Sequence, residues 1–391
     1  MDIVVAVRSG QSLRSVARQF GVALATVQLW VNRANGKSLE QINWEDGSHT
    51  PHSHPKQTSA QREQVILDAR IFLGKSSDLG EFGAKAIRTH LLSLNYLAVP
   101  STATINRILE KNGVFDKKRR VRRKPPLPGW YVPEIALKLV DIDETDYVEG
   151  LYLEGGEEVF LLNTLSLHGG LCSSGLTHHQ VTDYAIERLI AHWRVSGLPA
   201  YAQFDNGNVF TGPRQHADTI GRVIRTCLSL GVTPVFAVPR EFGIQSAIES
   251  YNNRWQQKVW ARFTFSSFEE AEACSARYVR AVNRKSGARQ EAAPLRRSFP
   301  ENWKEPAGLT RKGKILFIRR TNMQGEVVLL GNEYLIAKNW LNRLVRCEVD
   351  LTENKIRVYG LRRADPENQP LLKEWEYRLP DKSKKKELQN D

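Results

Sequence analysis

Cysteine is scarce and scattered. The chain's four, Cys172, Cys227, Cys274 and Cys347, form no Cys-x-x-Cys pair, which argues against a zinc ribbon or a disulfide framework and fits a reducing cytoplasm. Long apolar runs are missing too. No stretch approaches the roughly 18 apolar residues that would span a bilayer. The opening "MDIVVAVRSGQS" has only a five-residue apolar run, too short for a signal peptide. A cytoplasmic protein without a membrane segment is expected. His49, His52 and His54 lie close together, but no cysteine is near enough in sequence to complete a zinc site. Acids are outnumbered: 43 Asp and Glu against 56 Lys and Arg give a net charge of +13. That excess favours a polyanionic partner, of which nucleic acid is the commonest.

What is present is length and a change of pattern along it. At 391 residues with 41% hydrophobic content, the chain exceeds one ordinary domain and can fill sizeable cores. Residues 1–36 carry two helical patterns broken at Gly21, with Val16, Ala17, Phe20, Val22, Val27 and Trp30 as the apolar set. Ala17 is small where helices must cross closely, and Gly21 suits a tight turn. This resembles a helix-turn-helix, whose second helix would offer Thr26, Gln28, Asn32 and Arg33 to the major groove. Residues 37–60 lose periodicity and read as a linker. A second helical unit over 61–116, with Pro100-Ser101 as a helix start, would present Thr102, Thr104, Asn106 and Arg107. The linker over 117–134 then opens with Lys117, Lys118, Arg119, Arg120, Arg122, Arg123 and Lys124 and closes on "PPLPG". A charge run is usually a solvated stretch, but one that joins DNA-binding units to a larger α/β region suits a phosphate backbone.

Over 135–306 the pattern changes to strands and helices. "IALKLVDID", "EVFLLNTLSL" and "GGLCSSGLTH" read as three strands, followed by helix, strand "AYAQF", helix, strand "VTPVFAVP" and a helix over "IQSAIESYNNRWQQKVWARF". This predicts a mixed sheet flanked by helices. Short, turn-separated strands over 307–380 predict a small β-barrel, and 381–391 is a basic tail.

Three acids have related positions in that α/β region. Asp141 lies in the expected first strand, where an unpartnered acid is costly. Asp205 ends the "YAQF" strand, and Glu249 lies on the last helix with Asn252 and Gln256. Asp205-Asn206-Gly207 is also ordinary turn chemistry. Converging carboxylates repel unless cations hold them. Two Mg²⁺ ions (or Mn²⁺) on such ligands would suit an in-line phosphoryl displacement.

These residues resemble the ribonuclease-H-like core of DDE transposases and retroviral integrases. "FDNG" is similar to that family's D-N-G, "GIQSAIESYNNRW" to its segment leading into E-x-x-N, and "LVDID" to its first strand. The resemblance implies Asp141, Asp205 and Glu249 as catalytic metal ligands, with Asp143 as the substitute for Asp141. It departs at Lys138, where Trp is usual, and at Phe204, where Thr or Ser is usual. The spacing of 44 residues from Asp205 to Glu249 exceeds that of the retroviral type. The implied activity is strand cleavage and strand transfer at mobile-element ends by several copies of the chain on double-stranded DNA. Arg254 and Lys258 would contact phosphates. The alternative is an inactive descendant acting as a sequence-specific DNA-binding regulator, with a simple nuclease of the same core as a third possibility.

Overall fold

The computed structural model describes residues 1–45, 58–114, 128–213, 217–238, 244–308, 311–363 and 365–380. The chain divides into two compact units, Met1–Arg62 and Glu63–Asp391.

The first unit is three short helices, α1 (Asp2–Arg8), α2 (Leu13–Gln19) and α3 (Leu24–Ala34). Ser12 caps α2 by accepting the Ser15 N–H at 3.2 Å. Gly21, at φ +63°, makes the turn between α2 and α3. Val16, Ala17 and Val27 are buried there.

The second unit begins with another helical trio, α4 (Ala60–Ser76), α5 (Ala84–Ser93) and α6 (Thr102–Lys111), around Ile66, Ile87, Leu91, Ile105 and Leu109. Arg262 fastens this trio to the rest of the unit by donating to the carbonyls of Gly74 (2.9 Å) and Ser77 (2.9 Å).

After α7 (Pro133–Ala136) come β1 (Ile142–Tyr152), β2 (Glu158–Ser166), β3 (Cys172–Thr177), α8 (Thr182–Ser196), β4 (Tyr201–Phe204), α9 (Asn208–Thr211), α10 (Arg222–Ser229), β5 (Thr233–Phe236), α11 (Ser246–Lys258), α12 (Phe268–Lys285) and α13 (Gly287–Glu291). The final strands are β6 (Lys314–Arg320), β7 (Glu326–Leu329), β8 (Asn332–Leu335), β9 (Leu344–Asp350), β10 (Lys355–Gly360) and β11 (Leu371–Glu376). Nine strands form one mixed sheet in the order β11-β10-β9-β6-β5-β4-β1-β2-β3. β1, β2 and β3 are an antiparallel meander, while β4 and β5 run parallel to β1. Parallel strands demand cover on both faces. α8 and α10 supply it on one side, through Ala185, Leu189, Trp193, Val223 and Cys227, and α11 and α12 on the other, through Ile248, Tyr251, Trp255, Ala271 and Tyr278.

Two expectations change. The apolar run before Asp141 is not strand: it holds α7 and a turn with Lys138 at φ +58°, and Leu137 and Leu139 are 64% and 67% exposed. Strand geometry starts at Ile142 and continues through the polar "DETD". The C-terminal strands also do not stand apart as a barrel. β6 pairs in parallel with β5 (Val235↔Leu316, Phe236↔Phe317) and carries β9, β10 and β11 as a continuation of the sheet, because its apolar Ile315 and Phe317 complete the same core as Phe236. β7 and β8 form a separate hairpin turning at Leu330-Gly331. Among the described residues no helix is long and apolar enough to cross a membrane.

Candidate active site

Strand alternation decides which acids meet. Successive β1 side chains point to opposite faces of the sheet, so Asp143 and Tyr147 share the α8 face while Ile142, Glu144, Asp146 and Val148 share the α11 face. β1 and β4 pair as Ile142↔Tyr201, Asp143↔Ala202 and Glu144↔Gln203. Two residues further along that register Asp146 comes beside Asp205, and β4 ends at Phe204 so that its carboxylate stands at the strand's mouth.

Asp146 is the acid that sequence reasoning missed. Burial pushes its carboxyl up to about 7, and the charges of Asp205 and Glu249 push in the same direction. Its Oδ2 accepts from Asn252 Nδ2 at 2.8 Å, and Asn252 Oδ1 accepts from Asn163 Nδ2 at 2.8 Å. Asn163 faces Asp146 across β1 and β2, so one amide chain fixes the carboxylate's orientation. Asn252 sits three residues after Glu249 on α11, one helical turn on. Partial desolvation raises the Glu249 carboxyl as well.

Asp205 does both things its neighbours suggest. Its Oδ1 accepts the Gly207 N–H at 2.8 Å, closing a turn, and its charge faces Asp146. Asn206 donates to the Ala237 carbonyl (2.6 Å) and accepts from Arg319 (3.0 Å), tying the turn to the end of β5 and to β6.

Asp141 and Asp143 do not join this group. Arg296 Nη2 lies 2.9 Å from Asp141 Oδ2 and 2.5 Å from Asp143 Oδ1. Asp141 also accepts from Ser166 Oγ (2.6 Å) and the His168 N–H (3.0 Å), and Asp143 from Trp193 Nε1 (2.9 Å). The Arg296 charge holds the Asp143 carboxyl far below its usual range despite burial, which acts the other way. The physical reason is parity: Asp143 points at α8, away from α11, and Asp141 precedes the strand. One signal for Asp146 lay in the sequence. Counting back along the hairpin from Gly155-Gly156 brings Asp146 opposite the polar residues near Asn163, whereas Asp141 falls beyond the end of "EVFLLNTLS".

The carboxylate set suits a hard cation. Among the described residues no three His, Cys, Asp or Glu side chains gather tightly enough to cage a metal. An open arrangement of carboxylates is nonetheless what Mg²⁺ uses when it keeps water and substrate oxygens as remaining ligands. Among the described residues no cationic side chain pairs with Asp146.

The expected DNA contacts divide. Gln28, Asn32, Thr102, Asn106 and Arg107 are exposed on α3 and α6. Thr26 is half-buried, and Thr104 is engaged in the α6 cap with Ser101. Arg33 folds over Trp30 at 4.7 Å and donates to the Glu45 carbonyl. Arg254 is exposed, whereas Lys258 donates to the Gly80 carbonyl at 3.0 Å beneath the helical trio. Lys117 to Lys124 and the tail lie outside the described residues.

No family model and no curated protein matches the chain. Solved structures similar to it include the catalytic core domain of BIV integrase, at 14% identity, 35% of this chain, 80% of that one and TM-score 0.27. Another is the simian T-cell lymphotropic virus intasome in complex with PP2A regulatory subunit B56 gamma, at 11% identity, 71% of this chain, 88% of that one and TM-score 0.32. At such TM-scores neither likeness bears on the site, whose chemistry is read from its own residues.

Proposed function

We propose that the chain is a metal-dependent DNA strand-cleaving and strand-transferring enzyme of the transposase and integrase kind, with Asp146, Asp205 and Glu249 as its metal ligands. The observation that carries this is the mutual repulsion of acids delivered by β1, the end of β4 and the first turn of α11, with no cation of the protein's own set against Asp146 among the described residues. Divalent ions bound there would supply activation of an attacking oxygen and stabilisation of a leaving one. The chain's own residues do the rest. Asn252 orients Asp146, the Gly207 N–H orients Asp205, and Arg254 on the exposed side of α11 meets the DNA backbone. Gln28, Asn32, Asn106 and Arg107, exposed on their helices, would read element ends. The basic run from Lys117 to Lys124 would add affinity with little sequence selection.

The test compares Asp146→Asn, Asp205→Asn, Glu249→Gln and Asp141→Asn in Mg²⁺ or Mn²⁺, with DNA flanking the gene as the source of candidate ends. The first three should fold and bind DNA yet lose strand cleavage and transfer. Undiminished cleavage by folded Asp146→Asn or Asp205→Asn would refute the mechanism. An inactive regulator would bind ends without any metal-dependent cleavage in the unmodified chain.

A further inference from the structure

Glu144 is a carboxylate buried to 2% exposure with no cationic partner among the described residues. Burial pushes its carboxyl up to about 8; a buried polar group still needs hydrogen-bond partners, and here they come from a helix. Glu144 Oε2 accepts the Ile248 N–H at 2.8 Å, and the Ala247 N–H faces the same carboxylate. These are first-turn donors of α11, which its own N-cap, Gln245, leaves without a side-chain acceptor. The register partner of Glu144 is Gln203. Gln203 Nε2 donates to the Ile244 carbonyl at 3.2 Å, and its Oε1 accepts from the buried Tyr131 hydroxyl. Adjacent residues on β1 and β4 therefore hold both sides of the Ile244–Ile248 segment. Glu144 precedes Asp146 by two residues on β1 and so shares its face, and Gln203 precedes Asp205, just past the end of β4, by two.

We propose that Glu144 and Gln203 form a clamp that sets where α11, and with it Glu249, stands against Asp146 and Asp205. Each strand thus carries a pair: the inner residue fixes the helix start, and the outer one faces the chemistry. Glu144 and Gln203 are positioning residues that touch neither metal nor DNA. Only the role of the three acids rests on the functional reading; the clamp does not.

The experiment uses the full chain with Glu144→Leu, Glu144→Gln and Gln203→Leu. Gln and Leu both remove the carboxyl at 144 and only Gln keeps an acceptor there, so a difference between them reports that acceptor. Hydrogen exchange of the peptide spanning 244–250 should rise roughly 2- to 30-fold in Glu144→Leu, the range for losing a helix cap, and stay near the unmodified rate in Glu144→Gln. Mn²⁺ affinity should fall about tenfold further in Glu144→Leu than in Glu144→Gln, as for a residue that orients metal ligands. Exchange in Glu144→Leu equal to that in Glu144→Gln would overturn the clamp, as would equal Mn²⁺ affinities. If Glu144→Leu does not fold, Gln203→Leu, which keeps the carboxylate, must raise exchange in the same peptide or the clamp fails. Absence of Mn²⁺ binding to the unmodified chain would sink the functional reading instead, leaving exchange to judge the clamp.

Discussion

Replacing Arg296 with methionine removes the guanidinium that Asp141 and Asp143 share, and leaves two carboxylates whose side chains are 1% and 0% exposed. Breaking a buried ion pair on one side costs about 3–5 kcal/mol, because the remaining charge is stranded. For a unit of this size that corresponds to a melting temperature lowered by roughly 4–7 °C, read by circular dichroism at pH 7. The sign of the pH dependence follows from Asp143. With Arg296 its folded carboxyl is depressed, so the stabilisation is complete above the ordinary carboxylate range near about 4. It is lost as pH falls below that range. Without Arg296 the largest lowering influence is gone, and burial is opposed by His192 and the Trp193 N–H alone, so the variant loses less stability than the parent on acidification. The gap between the two proteins should therefore narrow steadily towards acid. A variant melting within 2 °C or so of the parent at pH 7, or a gap that does not narrow as pH falls below about 4, would refute the assignment of these acids to an ion pair.

Asp141→Asn, by the same reasoning, should weaken the fold yet leave metal-dependent cleavage measurable at a permissive temperature, in contrast to Asp146→Asn. Asp146→Asn should raise the melting temperature in metal-free buffer, since burial and two neighbouring charges hold that carboxyl up to about 7. The gain should grow as pH rises from about 4 to about 7, level off above that, and shrink when Mg²⁺ is added, as thermal melts would show. Replacing the basic residues between Lys117 and Lys124 with serine should lower affinity on all DNA alike and flatten its salt dependence, whereas a loss confined to one sequence in gel-shift assays would show base reading. Arg262→Met removes donors to the carbonyls of Gly74 and Ser77, and should speed proteolysis between residues 74 and 80 by loosening the α4 end.

Much of the architecture was legible because its signals are local. Helix periodicity, the Ser101 helix start and the turn at Gly21 place α2, α3, α5 and α6 without reference to the rest of the chain. Asp205 and Glu249 were legible for a related reason: a strand end followed by Asn-Gly, and an acid in the first turn of an amphipathic helix, announce their positions in a few residues. β1 was not, because its apolar content is misleading. Leu137 and Leu139 look like strand interior yet are exposed, while the polar Glu144 and Thr145, beyond the expected strand, are buried in it. The burial of Asp143 and Glu144 depends on Arg296, on Trp193 and on the N–H groups of α11, partners 50 to 153 residues away. The missing barrel has a similar origin. The pattern of short strands was correct for β6, β9 and β10, but the edge of β5 on which β6 would pair is not visible in either segment alone.

The two faces of β1 show why acids so close in sequence have opposite fates. On the α8 face, Asp143 is enclosed and receives Arg296 together with the Trp193 N–H, so its charge is consumed within the fold. On the α11 face, Glu144 is enclosed and receives backbone N–H groups of α11, whereas Asp146, one register step nearer the strand mouth, receives the Asn252 amide, the Tyr147 N–H and the repulsion of two further acids. A protein selected for stability alone would place a cation or an apolar residue there. On the function proposed above, Asp146 beside Asp205 and Glu249 makes physical sense where a cation arrives from solvent and a polyanion comes after it, the partner class that the chain's excess of basic residues favours.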